Sequence, residues 1–112
     1  MKFDIVLSDP FKRKLKKLKK KYPRINDDLS DLLTDLENGE VSGDPIPGLN
    51  DKVFKIRCAS SDMKRGKRGG YRVIYYMETS RGEIYLLTIY AKAEIENIPV
   101  NLILEIIQEL SF

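Results

Sequence analysis

The 112-residue sequence has no histidine and only one cysteine, Cys58. Histidine is the usual general base near neutral pH, so any proton transfer would fall to lysine, arginine, tyrosine, aspartate or glutamate. One cysteine without histidine excludes a conventional zinc or haem site and leaves no partner for a disulfide. We therefore expect no metal and no cofactor, and we expect Cys58 to be a small buried hydrophobic residue.

Long hydrophobic runs are also missing. No apolar stretch approaches the roughly 20 residues needed to cross a bilayer. The N-terminus lacks the long apolar stretch and cleavage site of a signal peptide. These absences predict a cytoplasmic protein, and the length predicts one domain over residues 1–112.

The charged residues form blocks. Residues 12–24 contain nine basic and no acidic side chains, residues 25–51 contain eight acidic and no basic ones, and residues 52–72 contain eight basic residues against one acid. This pattern favours a polyanion-binding surface on part of the fold. The first basic block could contact nucleic acid, but the preferred interpretation is a solvated helix whose charges meet the acidic segment that follows.

Hydrophobic spacing predicts two helices after a short first strand at Phe3 to Leu7. Ser8-Asp9-Pro10 is typical of a helix start, and that helix should stop at Tyr22-Pro23. The second helix carries an apolar stripe and should close at Asn38-Gly39. Residues 39–52 contain several glycines and prolines and are predicted to be a loop.

Three strands and a final helix should follow. The strands are predicted at Phe54 to Cys58, Gly70 to Glu78 and Glu83 to Ala91, and the helix should start at Asn97-Ile98-Pro99. The order is therefore β-α-α-β-β-β-α. It predicts an α+β fold with a small, mainly antiparallel four-stranded sheet, an N-terminal helical hairpin and a C-terminal helix. One sheet face would form the core and the other would display cations.

The densest functional pattern lies between Lys64 and Tyr76. Five Lys/Arg residues and three glycines lead into an apolar, aromatic run, which indicates a basic loop before a buried strand that carries Arg72. On the preceding strand, Lys55 and Arg57 would project from one side about 7 Å apart. Arginine offers a fixed fork of donors that matches phosphate oxygens, so the pattern suits a phosphate site. The alternative is an ordinary solvated hairpin loop.

Three segments, together with the order of elements, resemble the RelE/ParE superfamily of bacterial toxins, and most of all its HigB-type RelE branch. They are Phe54 to Arg57, Gly70 to Tyr75 and Leu87 to Glu94. The resemblance implies a RelE-like fold and the toxin of a type II toxin–antitoxin system. Such a toxin enters the ribosomal A site and cuts messenger RNA through attack of the 2′-hydroxyl on the adjacent phosphate, without a metal. The implied partners are a cognate antitoxin, the ribosome and messenger RNA, with a free monomer and a larger assembly with antitoxin.

The resemblance also implies site residues. Lys55 and Arg57 match basic residues at the scissile phosphate, and Arg72 matches the strand arginine that stabilises the transition state. Lys92 and Glu94 complete the predicted catalytic set. Contacts to RNA or the ribosome are predicted for Lys64, Arg65, Lys67, Arg68 and Tyr71.

The chain departs from the founding branch of the family at two points. Ala93 stands where that branch has a second arginine, and Ile98-Pro99 stands where it has a tyrosine. The general base therefore stays open. Lys55 is the first candidate because neighbouring cations would destabilise its protonated form. Glu94 and Tyr90 are weaker candidates, because Glu94 would as readily pair with Lys92 and packing is the preferred role for Tyr90.

Two other functions fit the same resemblance. One is a non-catalytic inhibitor of DNA gyrase, like the ParE branch, but Lys55, Arg57 and Arg72 favour the nuclease over it. The other is a degenerate member that binds only antitoxin or nucleic acid, an alternative that the missing arginine and tyrosine leave open. The antitoxin is expected to place an acidic or amphipathic segment near the basic residues 64–72.

Overall fold

The structure is a computed structural model that describes residues 2–63, 69–95 and 97–110. In these ranges the chain forms five strands and three helices. They are β1 (Asp4–Leu7), α1 (Asp9–Lys21), α2 (Ile25–Glu37), β2 (Asp44–Pro45), β3 (Val53–Cys58), β4 (Tyr71–Glu78), β5 (Glu83–Ala91) and α3 (Val100–Glu109). No helix in the described ranges combines the length and the apolar character that a membrane span requires.

Ser8 determines where α1 begins. Its hydroxyl accepts the backbone N–H of Phe11 at 3.2 Å and donates to the carbonyl of Leu87 at 3.0 Å. The first bond caps the helix and the second attaches the cap to β5. Pro10 lies in the first turn, where its missing N–H costs nothing. The predicted start of this helix is confirmed.

The sheet has the strand order β1-β5-β4-β3-β2. β1 runs parallel to β5, and the other neighbours are antiparallel. The prediction of four strands was wrong in one detail, because Asp44–Pro45 in the predicted loop forms β2 and pairs with β3. Gly43 permits this close approach, since a Cβ at its position would lie 2.9 Å from the carbonyl oxygen of Lys55. A two-residue strand leaves no periodic signal in the sequence.

Both faces of the sheet carry a hydrophobic core. On one face, α1 and α2 pack their apolar stripes against residues that include Tyr71, Val73 and Leu86. On the other face, Ile103 and Ile106 of α3 pack against a second cluster. This cluster consists of Leu49, Val53, Ile74, Tyr85, Leu87 and Tyr90. The prediction that one face alone would form the core was therefore wrong, and the predicted cations occupy only part of the second face.

Candidate functional site

Three polar side chains form a row across the centre of the sheet. Arg57 of β3 lies opposite Arg72 of β4, and Arg72 lies opposite Tyr90 of β5. Residues paired across neighbouring strands project from the same face. Since Tyr90 belongs to the cluster under α3, this row lies on the second face of the sheet. The register therefore brings Arg57 and Arg72 together as the resemblance predicted.

Arg72 is a buried cation, with 6% of its surface exposed. Its Nη1 donates to the carbonyl oxygens of Gly69 at 3.3 Å and Tyr71 at 3.2 Å. Within the described ranges, no carboxylate lies within 4 Å of the guanidinium. A buried charge is costly unless it is paired, and carbonyl dipoles provide only partial compensation. The guanidinium thus keeps donors available for an anion.

Gly70 shapes the backbone that leads into Arg72. Its φ is +82°, and a Cβ there would lie 2.5 Å from the carbonyl oxygen of Cys58. Only glycine satisfies both conditions without strain. The Gly70 carbonyl also accepts the N–H of Lys92 at 3.1 Å, which joins the start of β4 to the end of β5. This close approach is the physical reason for a glycine in the basic segment.

Lys55 and Arg57 lie two residues apart on β3 and therefore share a face. Arg57 is exposed and Lys55 is partly buried. The Nζ of Lys55 donates to Oδ1 of Asn97 at 3.2 Å. Lys55 also lines a cavity of about 330 Å³ with Tyr90, Asn97 and apolar residues of the α3 region. Asn97 was not predicted as a partner of Lys55, because nothing in the spacing relates a strand residue to one 42 positions later.

Tyr90 is 2% exposed, and its hydroxyl has no hydrogen-bond partner in the described part of the chain. Burial raises the pKa of this phenol, and the charge of Arg72 acts in the opposite direction. The phenol is therefore protonated at neutral pH. Its packing against the second core agrees with the alternative that Tyr90 is a core residue.

Glu94 and Lys92 follow β5. The Oε1 of Glu94 lies 2.7 Å from the Nζ of Lys21, so this carboxylate bridges the end of α1 to the turn after β5. The pair is exposed, and Glu94 raises the pKa of Lys21 by a hydrogen bond and by its charge. Lys92 is partly buried. The catalytic roles of Lys92 and Glu94 stay predictions.

The predicted RNA contacts fall into two groups. Tyr71 is fully buried on the face that α1 and α2 cover, and burial raises its pKa to about 12. Its ring lies edge-on to Tyr22 with 5.7 Å between centroids, so it packs in the core away from the row. The other predicted contacts are outside the described residues: Lys64, Arg65, Lys67 and Arg68.

The acidic side chains of α2 face β3. Four of them line a groove of about 630 Å³ beside Lys55 and Arg57: Asp27, Asp28, Asp31 and Asp35. Asp28 accepts both the N–H and the hydroxyl of Ser61, at 3.0 and 3.2 Å. Among the residues that the structure describes, no cluster of three or more Cys, Asp or Glu side chains could hold a metal ion.

The architecture corresponds to a known class of fold. No family model matches the sequence. The structure is similar to the solved structure of the Escherichia coli toxin RelE, in the free state of a double arginine-to-alanine mutant. The TM-score is 0.51 at 16% sequence identity, over 86% of this chain and 90% of that chain. The protein therefore has a RelE-like α+β fold, with a mixed five-stranded sheet and three helices among its described residues.

Proposed function

We propose that this protein is the toxin of a type II toxin–antitoxin system, from the HigB-type branch of the RelE/ParE superfamily. It acts as a metal-independent, ribosome-dependent endoribonuclease that cuts messenger RNA in the cytoplasm. The observation that carries the proposal is the buried guanidinium of Arg72, which has two carbonyl contacts and no carboxylate partner in the described ranges. The RelE-like fold supports the same proposal.

A phosphodiester is the ligand that this row fits. Arg57 and Arg72 are like charges directly opposite each other, an arrangement that destabilises a sheet unless an anion lies between them. Guanidinium forks bind phosphate oxygens in a bidentate way. Lys55 adds a third positive charge on the same face of β3, two residues before Arg57. A backbone phosphate of RNA would therefore neutralise the repulsion within the row.

The reaction is the one that the resemblance implies, with these groups assigned to its steps. The 2′-hydroxyl oxygen attacks the adjacent phosphorus, and the bond from phosphorus to the 5′-oxygen breaks. The products are a 2′,3′-cyclic phosphate and a new 5′-hydroxyl end. Arg57 and Arg72 stabilise the added negative charge of the pentacovalent transition state, which is where fixed donors contribute most. The neutral amine of Lys55 takes the proton of the 2′-hydroxyl, and the leaving 5′-oxygen takes a proton from water.

The residues after β5 supplement this site. The N–H of Lys92 donates to the carbonyl of Gly70, two residues before Arg72, and so holds Lys92 near the row. From there Lys92 contacts the phosphate backbone. Glu94 is the alternative acceptor for the 2′-hydroxyl proton, and it would first have to leave Lys21. Tyr90 donates no proton in the reaction and supports the neighbouring Arg72 by packing.

The regulatory partner is an antitoxin. Among the described residues, no carboxylate lies within 4 Å of either guanidinium of the row, so an acidic segment of a partner would compete with RNA for it. Binding of such a segment would block access of RNA and hold the toxin inactive. The free toxin is a monomer, and a larger assembly forms with the antitoxin.

Primer extension on a messenger RNA, with and without translating ribosomes, tests the nuclease. We expect cuts only when ribosomes translate, and we expect Arg72→Met to abolish them. Arg81→Met is the matched control, because Arg81 is an exposed arginine on the turn between β4 and β5. Intact RNA in every lane, from wild-type protein that is folded, would contradict the nuclease and direct attention to gyrase inhibition or a lost active site.

A further inference from the structure

Helix α1 carries the densest charge in the described chain. Eight of its thirteen residues are lysine or arginine, and all eight are exposed. A helix of this length extends about 20 Å, so it presents roughly one positive charge per 2.5 Å. A nucleic-acid duplex carries about one negative charge per 1.7 Å of its axis. The two charge densities are of the same order.

These cations have almost no counterions within the described parts of the chain. Of the eight, only Lys21 lies within 4 Å of a carboxylate that the structure describes, which is that of Glu94. The aspartates of α2 line the groove beside β3 instead. The predicted solvation of the basic helix is confirmed, but the predicted pairing of its charges with the acidic segment was wrong among the described residues. The acidic stretch is next to α1 in sequence, but its aspartates line the groove beside β3. One of them, Asp28, accepts hydrogen bonds from Ser61 in the segment after β3.

The apolar stripe of α1 restricts what can bind the helix. Phe11 and Leu18 are buried, and Leu15 and Tyr22 pack against the same core. A basic amphipathic helix that binds membranes inserts its apolar face into the lipid. In α1 that face is already occupied by the sheet, so the helix presents to solvent only its charged surface. Seven of the eight cations are lysines, flexible point charges that suit a phosphate backbone without sequence reading.

The basic helix is also connected to the Arg72 row. Lys21 pairs with Glu94, just after β5. At the same end of β5, the N–H of Lys92 is bonded to Gly70, and the adjacent Gly69 accepts from Arg72. Three short contacts therefore lead from the C-terminal end of α1 to the guanidinium. A nucleic acid that binds along α1 would pass around this end of the sheet to reach the site, because α1 and the row lie on opposite faces.

We propose that α1 is a second RNA-binding surface, which holds the phosphate backbone of structured RNA and provides affinity without taking part in cleavage. This inference rests on the proposed function, because it takes RNA as the polyanion that the protein meets. It assigns a role to the lysine-rich block that the cleavage chemistry does not use.

The test compares two charge-matched double variants of the full chain. One changes Lys17 and Lys20 on α1 to Gln, and the other changes Lys2 and Lys52 to Gln, which are exposed elsewhere. Glutamine has nearly the helix propensity of lysine, so α1 should persist, and circular dichroism checks this. The measurement is the affinity for a labelled RNA hairpin over a series of salt concentrations.

We expect the α1 variant to bind roughly tenfold more weakly near 0.1 M salt and to reduce the log–log salt slope by about 1.4 to 1.8, two phosphate contacts at 0.7 to 0.9 each. The Lys2/Lys52 variant should match the wild type within about twofold. Equal weakening of both variants would show that only net charge matters, and undiminished binding by the α1 variant would show that the helix is not involved. Either outcome overturns the proposal.

Two further measurements distinguish RNA from a lipid surface as the ligand, and α1 from the Arg72 row as the binding surface. Binding to vesicles of anionic phospholipid in preference to the hairpin would overturn the RNA assignment. Arg72→Met should retain most of the hairpin affinity, because α1 supplies it. If wild-type protein leaves messenger RNA intact and still binds the hairpin through α1, the nuclease proposal fails while this inference stands.

Discussion

Arg57 and Arg72 lie directly opposite each other on neighbouring antiparallel strands, and one of them is buried. Like charges in this position destabilise a sheet, and burial of a charge without a counterion adds to the cost. The strands nevertheless hold both guanidinium groups on one face beside Lys55. A site that is unfavourable when empty and favourable with a phosphate is what a binding function requires, and it predicts a conflict between stability and activity.

Arg72→Met should separate the two. Methionine has similar length and no charge, so we expect the free energy of unfolding in urea to rise by about 1 kcal/mol or more. Cleavage of translated messenger RNA should fall by about 100-fold or more, because a donor to the transition state is lost. Arg57→Met, at an exposed position, should change stability much less. A marked loss of stability in Arg72→Met would mean that the guanidinium is structural.

Tyr90→Phe tests the hydroxyl that has no described partner. An unpaired buried hydroxyl carries a desolvation cost, so its removal should leave stability unchanged or raise it by up to about 1 kcal/mol. Cleavage should stay within about twofold of the wild type. Tyr85→Phe is the matched comparison, because the Tyr85 hydroxyl donates to Glu83 at 2.9 Å and its loss should not stabilise the protein. A large loss of cleavage in Tyr90→Phe would show that the phenol contacts RNA.

Alkaline pH should unfold the protein through its buried phenols. Burial raises the pKa of Tyr75 to about 12 from an ordinary value of 10. Between these values the unfolded chain loses a proton that the folded chain keeps, so stability is fully present below pH 10 and falls as the pH approaches 12. Tyr75→Phe should flatten this decline by up to about 1.4 kcal/mol per pH unit. Urea unfolding at a series of pH values measures it, and a slope unchanged by the substitution would contradict the assignment.

Glu94→Gln tests the carboxylate that pairs with Lys21. The pair is exposed, so its loss should have little effect on thermal unfolding, and that effect should disappear in high salt. Cleavage should stay within about twofold, since Lys55 is the assigned proton acceptor. If cleavage instead collapses while the melting temperature is unchanged, Glu94 is the base and Lys55 is not.

Local patterns predicted most of the elements. Ser8 and Pro10 marked the start of α1, strict alternation located β3, and a run rich in Ile, Leu, Thr and Tyr located β5. Capping, periodicity and composition all depend on residues close in sequence. The two-residue β2 carried no such pattern. The second core under α3 was also missed, because an apolar helix does not indicate which sheet face it covers.

The candidate site, like the fold, was predicted in part from local sequence patterns and in part decided by tertiary contacts. The sequence by itself determined that Arg72 follows a basic, glycine-rich segment onto a strand, and that Lys55 and Arg57 share one side of another, since each depends on a period of two residues. Only the tertiary structure decided that Arg57 faces Arg72, that Lys55 bonds Asn97, and that the acids of α2 turn away from α1. Register and packing are set by contacts between distant segments, and no local period encodes them.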